Sequence, residues 1–117
     1  MILVEGKVDG RPLTFLLDTG AIGTIVSTRI YASEFPLRRI HRNFEGPGLS
    51  GESVPVRINL ELGDHRFYAH RVSVMNLDEL SRLIGIEHID GLLGQDVLRE
   101  FRYVRIDYKS HVIELEE

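Results

Sequence analysis

The sequence predicts a mainly β protein, and three observations carry that expectation. Short segments rich in Val, Ile, Leu, Phe and Tyr recur along the chain. Turn signals separate them at Asp9-Gly10, in the glycine cluster of residues 46–51, at Gly63-Asp64 and at Lys109-Ser110, a spacing that suits antiparallel pairing. Residues 54–62 alternate with a period of two, placing Val54, Val56, Ile58, Leu60 and Leu62 on one face and Pro55, Arg57, Asn59 and Glu61 on the other.

Taken in order, the elements agree with that class. The chain enters on Ile2-Leu3-Val4, which reads as a strand. Phe15-Leu16-Leu17 is a short continuous apolar run, as expected of a strand covered on both faces. The half-buried strand over 54–62 pairs with residues 67–75 across Gly63-Asp64. Residues 77–84 and 97–101 have helical spacing, with Asn76 and Asp96 as N-caps, and read as small helices on β structure. With 117 residues and no repeat, low-complexity tract or linker, residues 1–117 form one domain. A chain of that length buries about two-thirds of its unfolded surface.

Composition narrows the function. Without cysteine there is no disulfide framework, no thiol nucleophile and no Cys-ligated zinc. A formal charge of -4 argues against a nucleic-acid partner, although Arg38-Arg39-Ile40-His41-Arg42 is a local basic cluster; the expected role of that cluster is a solvated strand edge. His41, His65, His70, His88 and His111 lack metal-ligand spacing and read as surface or turn residues, so no metal site is expected. The acidic end, residues 114–117, is too short for an interaction tail. No apolar stretch reaches the roughly 18 residues of a membrane span, so this segment is expected to make no membrane contact. A soluble domain follows, cytoplasmic if Met1 is the natural start and periplasmic or membrane-anchored if a segment precedes it.

The residues that carry chemistry are Asp18-Thr19-Gly20-Ala21, led in by Phe15-Leu16-Leu17 and followed by Ile22-Gly23-Thr24-Ile25-Val26. A carboxylate delivered by an apolar strand into a glycine-bearing turn is partly desolvated, which is costly unless it serves a purpose. Gly20 lets the turn tighten and a second chain come close, and the Thr19 hydroxyl can anchor the turn. One carboxylate is a poor catalyst of amide hydrolysis, because one group must take a proton from water while another gives one. Two carboxylates sharing a proton do both. The segment Ile89-Asp90-Gly91-Leu92-Leu93-Gly94-Gln95-Asp96 also holds carboxylates, but neither Asp90 nor Asp96 follows a comparable apolar strand. A symmetric homodimer, with a two-fold axis near Asp18, supplies the second acid more simply.

With these residues in view, the chain resembles the retropepsin-like aspartic proteases, the one-lobed homodimeric relatives of pepsin, and its bacterial members most. Leu16-Leu17-Asp18-Thr19-Gly20-Ala21 fits the active-site motif, with Thr24 at the following hydroxyl position. Gly46-Pro47-Gly48-Leu49-Ser50-Gly51 resembles the flap tip, Leu92-Leu93-Gly94 fits the hydrophobic-hydrophobic-Gly element before a short helix, and Asp107-Tyr108 resembles the bacterial ending. The resemblance implies a closed acid-protease barrel with a flap hairpin and one or two short helices. It also implies a homodimer acting on peptide or protein substrates without a cofactor.

In that scheme one Asp18 carboxylate activates a water while its protonated counterpart donates to the scissile carbonyl. Thr19 ties the two turns together across the axis, Gly20 and Ala21 floor the cleft, and Leu92 and Leu93 pack behind the Asp18 turn. The flap, a hairpin from residues 40–45 and 53–62, presents Gly46, Gly48, Leu49, Ser50 and Gly51 to the substrate. The chain departs from viral members at Ile22 and Gly23, where they carry acids, and at Gln95, where they carry the arginine that pairs with one of those acids. Relatives that serve as dimerisation or peptide-binding modules with little proteolysis keep a second function class open. A nucleic-acid module using residues 38–42 is a third.

Overall fold

Asp9-Gly10 folds β1 (Leu3–Val8) back on β2 (Arg11–Leu17), in register from Leu3 opposite Leu16 to Val8 opposite Arg11. The computed structural model describes residues 2–31, 42–46, 49–87, 89–107, 109–110 and 112–116. Within them follow β3 (Ile25–Ser27), α1 (Thr28–Tyr31), β4 (Arg42–Gly46), β5 (Leu49–Leu62), β6 (His65–Met75) and α2 (Asp78–Ile84). β7 (Gly91–Leu93), α3 (Gln95–Leu98), β8 (Tyr103–Asp107) and β9 (Val112–Glu116) complete the order. No helix among the described residues is long and apolar enough to cross a membrane.

The sheet runs β1-β2-β7-β3-β6-β5, and β5 returns to β1 through Lys7 opposite Glu61 and Val8 opposite Leu60. Six strands therefore close into the barrel that the resemblance implies, and closure removes the unpaired edges of an open sheet. Pairing is mainly antiparallel, as the turn spacing predicted, and two junctions of the barrel are parallel, β2 with β7 and β3 with β6. A strand alternates its side chains in the same way whichever direction its neighbour runs, so the sequence pattern does not distinguish the two. β8 and β9 form a separate hairpin, whose turn is tied by Asp107 Oδ1 accepting the amides of Lys109 and Ser110. Tyr108, His41, His88 and His111 lie outside the described residues.

Both faces of β2 are covered. Leu13 and Phe15 enter the main core with Val26, Leu60, Leu93 and Val97, while Leu16 joins Ile25, Met75, Leu77, Ile89 and Leu92 in a second cluster. Each such side chain contributes about 1.5–3 kcal/mol when fully buried. Leu80 and Ile84 of α2 cover the second cluster, which is why that short helix holds. Its cap position is taken by Leu77, one residue after the expected N-cap Asn76, whose Oδ1 instead accepts the Asp78 amide at 2.8 Å; the helix stops at Gly85 in the left-handed region.

The expected helix over 97–101 is displaced. α3 begins at Gln95 with Gly94 at its cap position, so Asp96 lies inside the helix and is not its N-cap. Its carboxylate is engaged elsewhere, with Thr24 and His70. The further single turn α1 follows β3 directly.

At Gly91 the barrel is too tight for any side chain. A Cβ there would lie 2.6 Å from the Ile25 carbonyl oxygen and 2.6 Å from the ring of Phe15, which is fully buried. Gly91→Ala is therefore expected to lower stability by about 1–3 kcal/mol, the usual cost of overpacking. Urea unfolding checks this through a lower midpoint at unchanged slope.

Candidate active site

The Asp18 turn stands where β2 leaves the barrel. Phe15, Leu16 and Leu17 pair in parallel with Gly91, Leu92 and Leu93, and the ladder ends with the Asp18 amide donating to the Leu93 carbonyl at 3.0 Å. The carboxylate of the half-buried Asp18 then accepts the Gly20 amide through Oδ1 at 3.0 Å, and the Ala21 amide returns to the Asp18 carbonyl at 3.2 Å. Gly20 does not have the positive φ that would explain glycine as a conformational need. A Cβ on it would meet only Asp18 Oδ1, at 3.4 Å. Within one chain Gly20 is thus used for its amide, and the open space beside it is free for a substrate or a second chain.

Behind the turn lies the start of α3. Leu92 and Leu93 are buried. The Gln95 amide donates to the Ala21 carbonyl at 2.8 Å, the Asp96 amide to the Ile22 carbonyl at 3.0 Å, and Gln95 Nε2 to the Thr19 carbonyl at 2.7 Å. Gln95 thus holds the turn by a neutral hydrogen bond to backbone. Gly94 allows this approach, since a Cβ there would fall 2.6 Å from the Gly23 carbonyl oxygen. The Thr24 hydroxyl, 1 % exposed, accepts the Gly94 amide at 3.1 Å and donates to Asp96 Oδ1 at 2.8 Å. Thr19, Gly20, Ile22 and Gly23 face solvent, Ile22 with 86 % of its surface exposed.

His70 corrects the expectation that the histidines are surface or turn residues. Its Nε2 lies 2.7 Å from Asp96 Oδ2, with the two side chains only 20 % and 17 % exposed, and its ring meets Phe67 edge-on at 5.4 Å. Sequence spacing misses it because β6 carries a bulge. The register shifts between Ile58 opposite His70 and Leu60 opposite Phe67, with Ala69 at a φ of 50°. Beyond this extra residue the inward positions become His70, Val72 and Val74, whereas alternation counted from Phe67 points His70 outward. His65, beside its turn, packs on Phe67 and Phe101 at 4.5 and 4.8 Å between ring centres.

Other acids of the chain, Asp90 and Asp107 among them, have structural attachments. Asp90 takes the Thr14 amide on one oxygen at 2.8 Å and Arg29 on the other at 2.6 Å, fastening β2 to α1. Asp107 ties the β8–β9 turn. Of the glycine cluster, Gly46 and residues 49–51 lie in a hairpin, β4 with β5, in register from Arg42 opposite Ser53 to Gly46 opposite Leu49. Leu49, Ser50 and Gly51 thereby belong to β5, and Gly46 closes β4. Pro47 and Gly48 lie outside the described residues, as do residues 38–41 of the basic cluster. β5 continues from this hairpin into the barrel wall, so the hairpin and the wall share one strand.

The sequence profile described as aspartyl protease matches residues 4–97. No curated sequence matches the chain. Among solved structures, the chain is similar to a retropepsin-like aspartic protease from Rickettsia conorii, with a TM-score of 0.63 and 20 % identity over 90 % of this chain and 75 % of that one. EIAV protease in complex with the inhibitor HBY-793 aligns with a TM-score of 0.60 and 20 % identity, covering 84 % of this chain and 85 % of its own. The retroviral protease-like domain of Ddi1 from Leishmania major aligns over 100 % of this chain and 89 % of its own, with a TM-score of 0.62 and 15 % identity. At these identities the likeness is one of fold.

Thr24→Val leaves the buried Gly94 amide without its acceptor and Asp96 Oδ1 without its donor. The expected cost is about 1–3 kcal/mol, the penalty of an unsatisfied buried polar group rather than of a lost methyl-sized volume. Chemical denaturation of the variant beside wild type checks it.

Proposed function

The chain belongs to the aspartyl protease family, and we propose that it is an aspartic endopeptidase whose catalytic pair is Asp18 from two copies of one single-domain chain. The observation that carries this reading is the Asp18 turn itself. Its carboxylate is held at the end of a barrel strand by the Gly20 amide, while Asp90, Asp96 and Asp107 are tied to structural hydrogen bonds. A partner acid from a second chain meets the chemical requirement for two carboxylates, and the exposed Thr19, Gly20 and Ile22 offer the surface for that approach.

In the proposed reaction the ionised Asp18 takes a proton from water, and the protonated Asp18 of the other copy donates to the scissile carbonyl oxygen. Water attack gives a tetrahedral intermediate with no bond to the enzyme. Proton transfer to the departing amine then breaks the C–N bond. The chemistry needs two carboxylates and a water, and no cofactor. Substrate lies extended beneath the β4–β5 hairpin, which acts as a flap and adds main-chain hydrogen bonds from Gly46, Gly48, Leu49, Ser50 and Gly51. Thr19, Gly20 and Ala21 form the floor, and Thr24, Leu92, Leu93 and Gly94 support it.

Asp18→Asn keeps the size and much of the hydrogen bonding of the side chain but removes the shared proton and the base. Cleavage of a mixed peptide library, assayed with and without pepstatin, is expected to fall at least 10²- to 10⁴-fold, roughly the contribution of general acid–base catalysis. Retention of more than about half the wild-type rate would remove Asp18 from this role. Binding of peptides by wild type without cleavage would instead favour a peptide-binding module.

Because each cleft takes Asp18 from both chains, specific activity is expected to fall on dilution through the dissociation constant of the dimer. A dilution series run beside analytical ultracentrifugation checks this. Constant specific activity in a sedimenting monomer contradicts the shared pair.

A further inference from the structure

We propose that His70 is a positioning residue for the Asp18 turn, acting through Asp96 and Thr24; its catalytic consequence rests on the function proposed above. The argument follows the direction of each hydrogen bond. The Gly94 amide can only donate, so the Thr24 oxygen accepts it at 3.1 Å, and the single Thr24 hydroxyl proton goes to Asp96 Oδ1 at 2.8 Å. Asp96 must therefore accept on Oδ1, and its other oxygen lies 2.7 Å from His70 Nε2. A donor at Nε2 fixes the carboxylate in the plane that Thr24 needs. Gly94 in turn separates Leu93, whose carbonyl takes the Asp18 amide, from Gln95, which holds the Thr19 and Ala21 carbonyls. Hydrogen bonds and adjacent peptide units thus connect His70 to backbone on both sides of Asp18.

The bulge that places His70 inward is itself held by side chains. Asn59 Oδ1 accepts the Ala69 amide at 3.0 Å, Arg57 donates to the Ala69 carbonyl at 3.0 Å, and Asp9 Oδ1 accepts the Asn59 amide at 2.9 Å. A non-glycine residue in the left-handed region carries a steric cost. That cost is met here at a position whose effect is to turn an imidazole toward the support of the proposed catalytic residue.

The alternative is that His70 only fills space beside Phe67, in which case an apolar side chain serves equally well. His70→Leu and His70→Gln separate the two, since the longer amide of Gln carries a donor to the neighbourhood of Nε2. On the full chain, amide exchange at Asp18, Gly94 and Gln95 is followed by NMR, with amides of β1 as the internal reference. The probe for turnover is a library peptide that wild type cleaves.

His70→Leu is expected to speed exchange at Gly94 about tenfold while β1 is unchanged. It is also expected to lower kcat about tenfold with KM within about twofold, the mark of a misplaced catalytic group rather than of weaker substrate binding. His70→Gln is expected to restore most of both. Should the Leu variant not fold, His70→Asn, whose shorter amide stops short of Asp96, takes its place. Wild-type exchange and kcat in the Leu or Asn variant overturn the proposal, as does a folded Gln variant as impaired as Leu. A wild-type chain that cleaves no peptide refutes the protease reading, and the exchange pattern then decides on His70 by itself.

Discussion

The parallel pairing of Phe15, Leu16 and Leu17 with Gly91, Leu92 and Leu93 is the constraint on which the rest of the molecule depends. It joins segments 76 residues apart, as in the Thr14–Asp90 contact at its foot, and so must close a long loop before it gains any stabilisation. What makes it favourable is burial on both faces: Phe15 and Leu93 enter one core, Leu16 and Leu92 the other. Its narrowness also fixes composition, because Gly91 runs against Phe15 and the Ile25 carbonyl and Gly94 against the Gly23 carbonyl. Asp18 takes its place from this ladder, since its amide makes the next hydrogen bond after Leu17 opposite Leu93. The position of the carboxylate is therefore a consequence of core packing rather than of the turn alone.

Much of this was legible in the sequence because it rests on local signals. The period of two over 54–62, the turns at Asp9-Gly10 and Gly63-Asp64, and the apolar run before Asp18 each depend on neighbours within a few residues. The hydrophobic-hydrophobic-Gly element was equally visible in the sequence; in the structure Leu92 and Leu93 are buried and the Gly94 amide donates to the Thr24 hydroxyl. Closure of the barrel was implied by the family resemblance and not by periodicity, which contains no information about which strands meet. The two parallel junctions were hidden for the same reason.

What escaped was governed by side chains acting at a distance. Asp96 has the composition of a helix N-cap, yet α3 starts two residues earlier than that cap implies, with Gly94 pinned by Thr24 and Asp96 drawn to Thr24 and His70. His70 itself was concealed by one inserted residue. Ala69 carries no turn signature, and its left-handed conformation depends on Asn59 and Arg57 across the ladder, so nothing in the local sequence marks the change of face. A histidine and an acid 26 residues apart lack any of the spacings by which functional pairs are recognised.

Gln95 supports the turn without charge. Gln95 reaches the Thr19 carbonyl through a neutral amide, and the backbone bonds from Gln95 and Asp96 to Ala21 and Ile22 are neutral as well. Salt screens exposed charges far more than these contacts. Asp96 with His70, an ionisable pair in that support, is mostly shielded from solvent, whereas Thr19, Gly20 and Ile22 are exposed. Support within the chain and contact between chains are thereby separated: the first comes from the β7–α3 junction, and the second, in the proposed dimer, falls to a small apolar and hydroxyl-bearing surface. A turn already fastened from behind needs little from its partner to be ordered. In the proposed dimer, what the partner supplies is the second carboxylate.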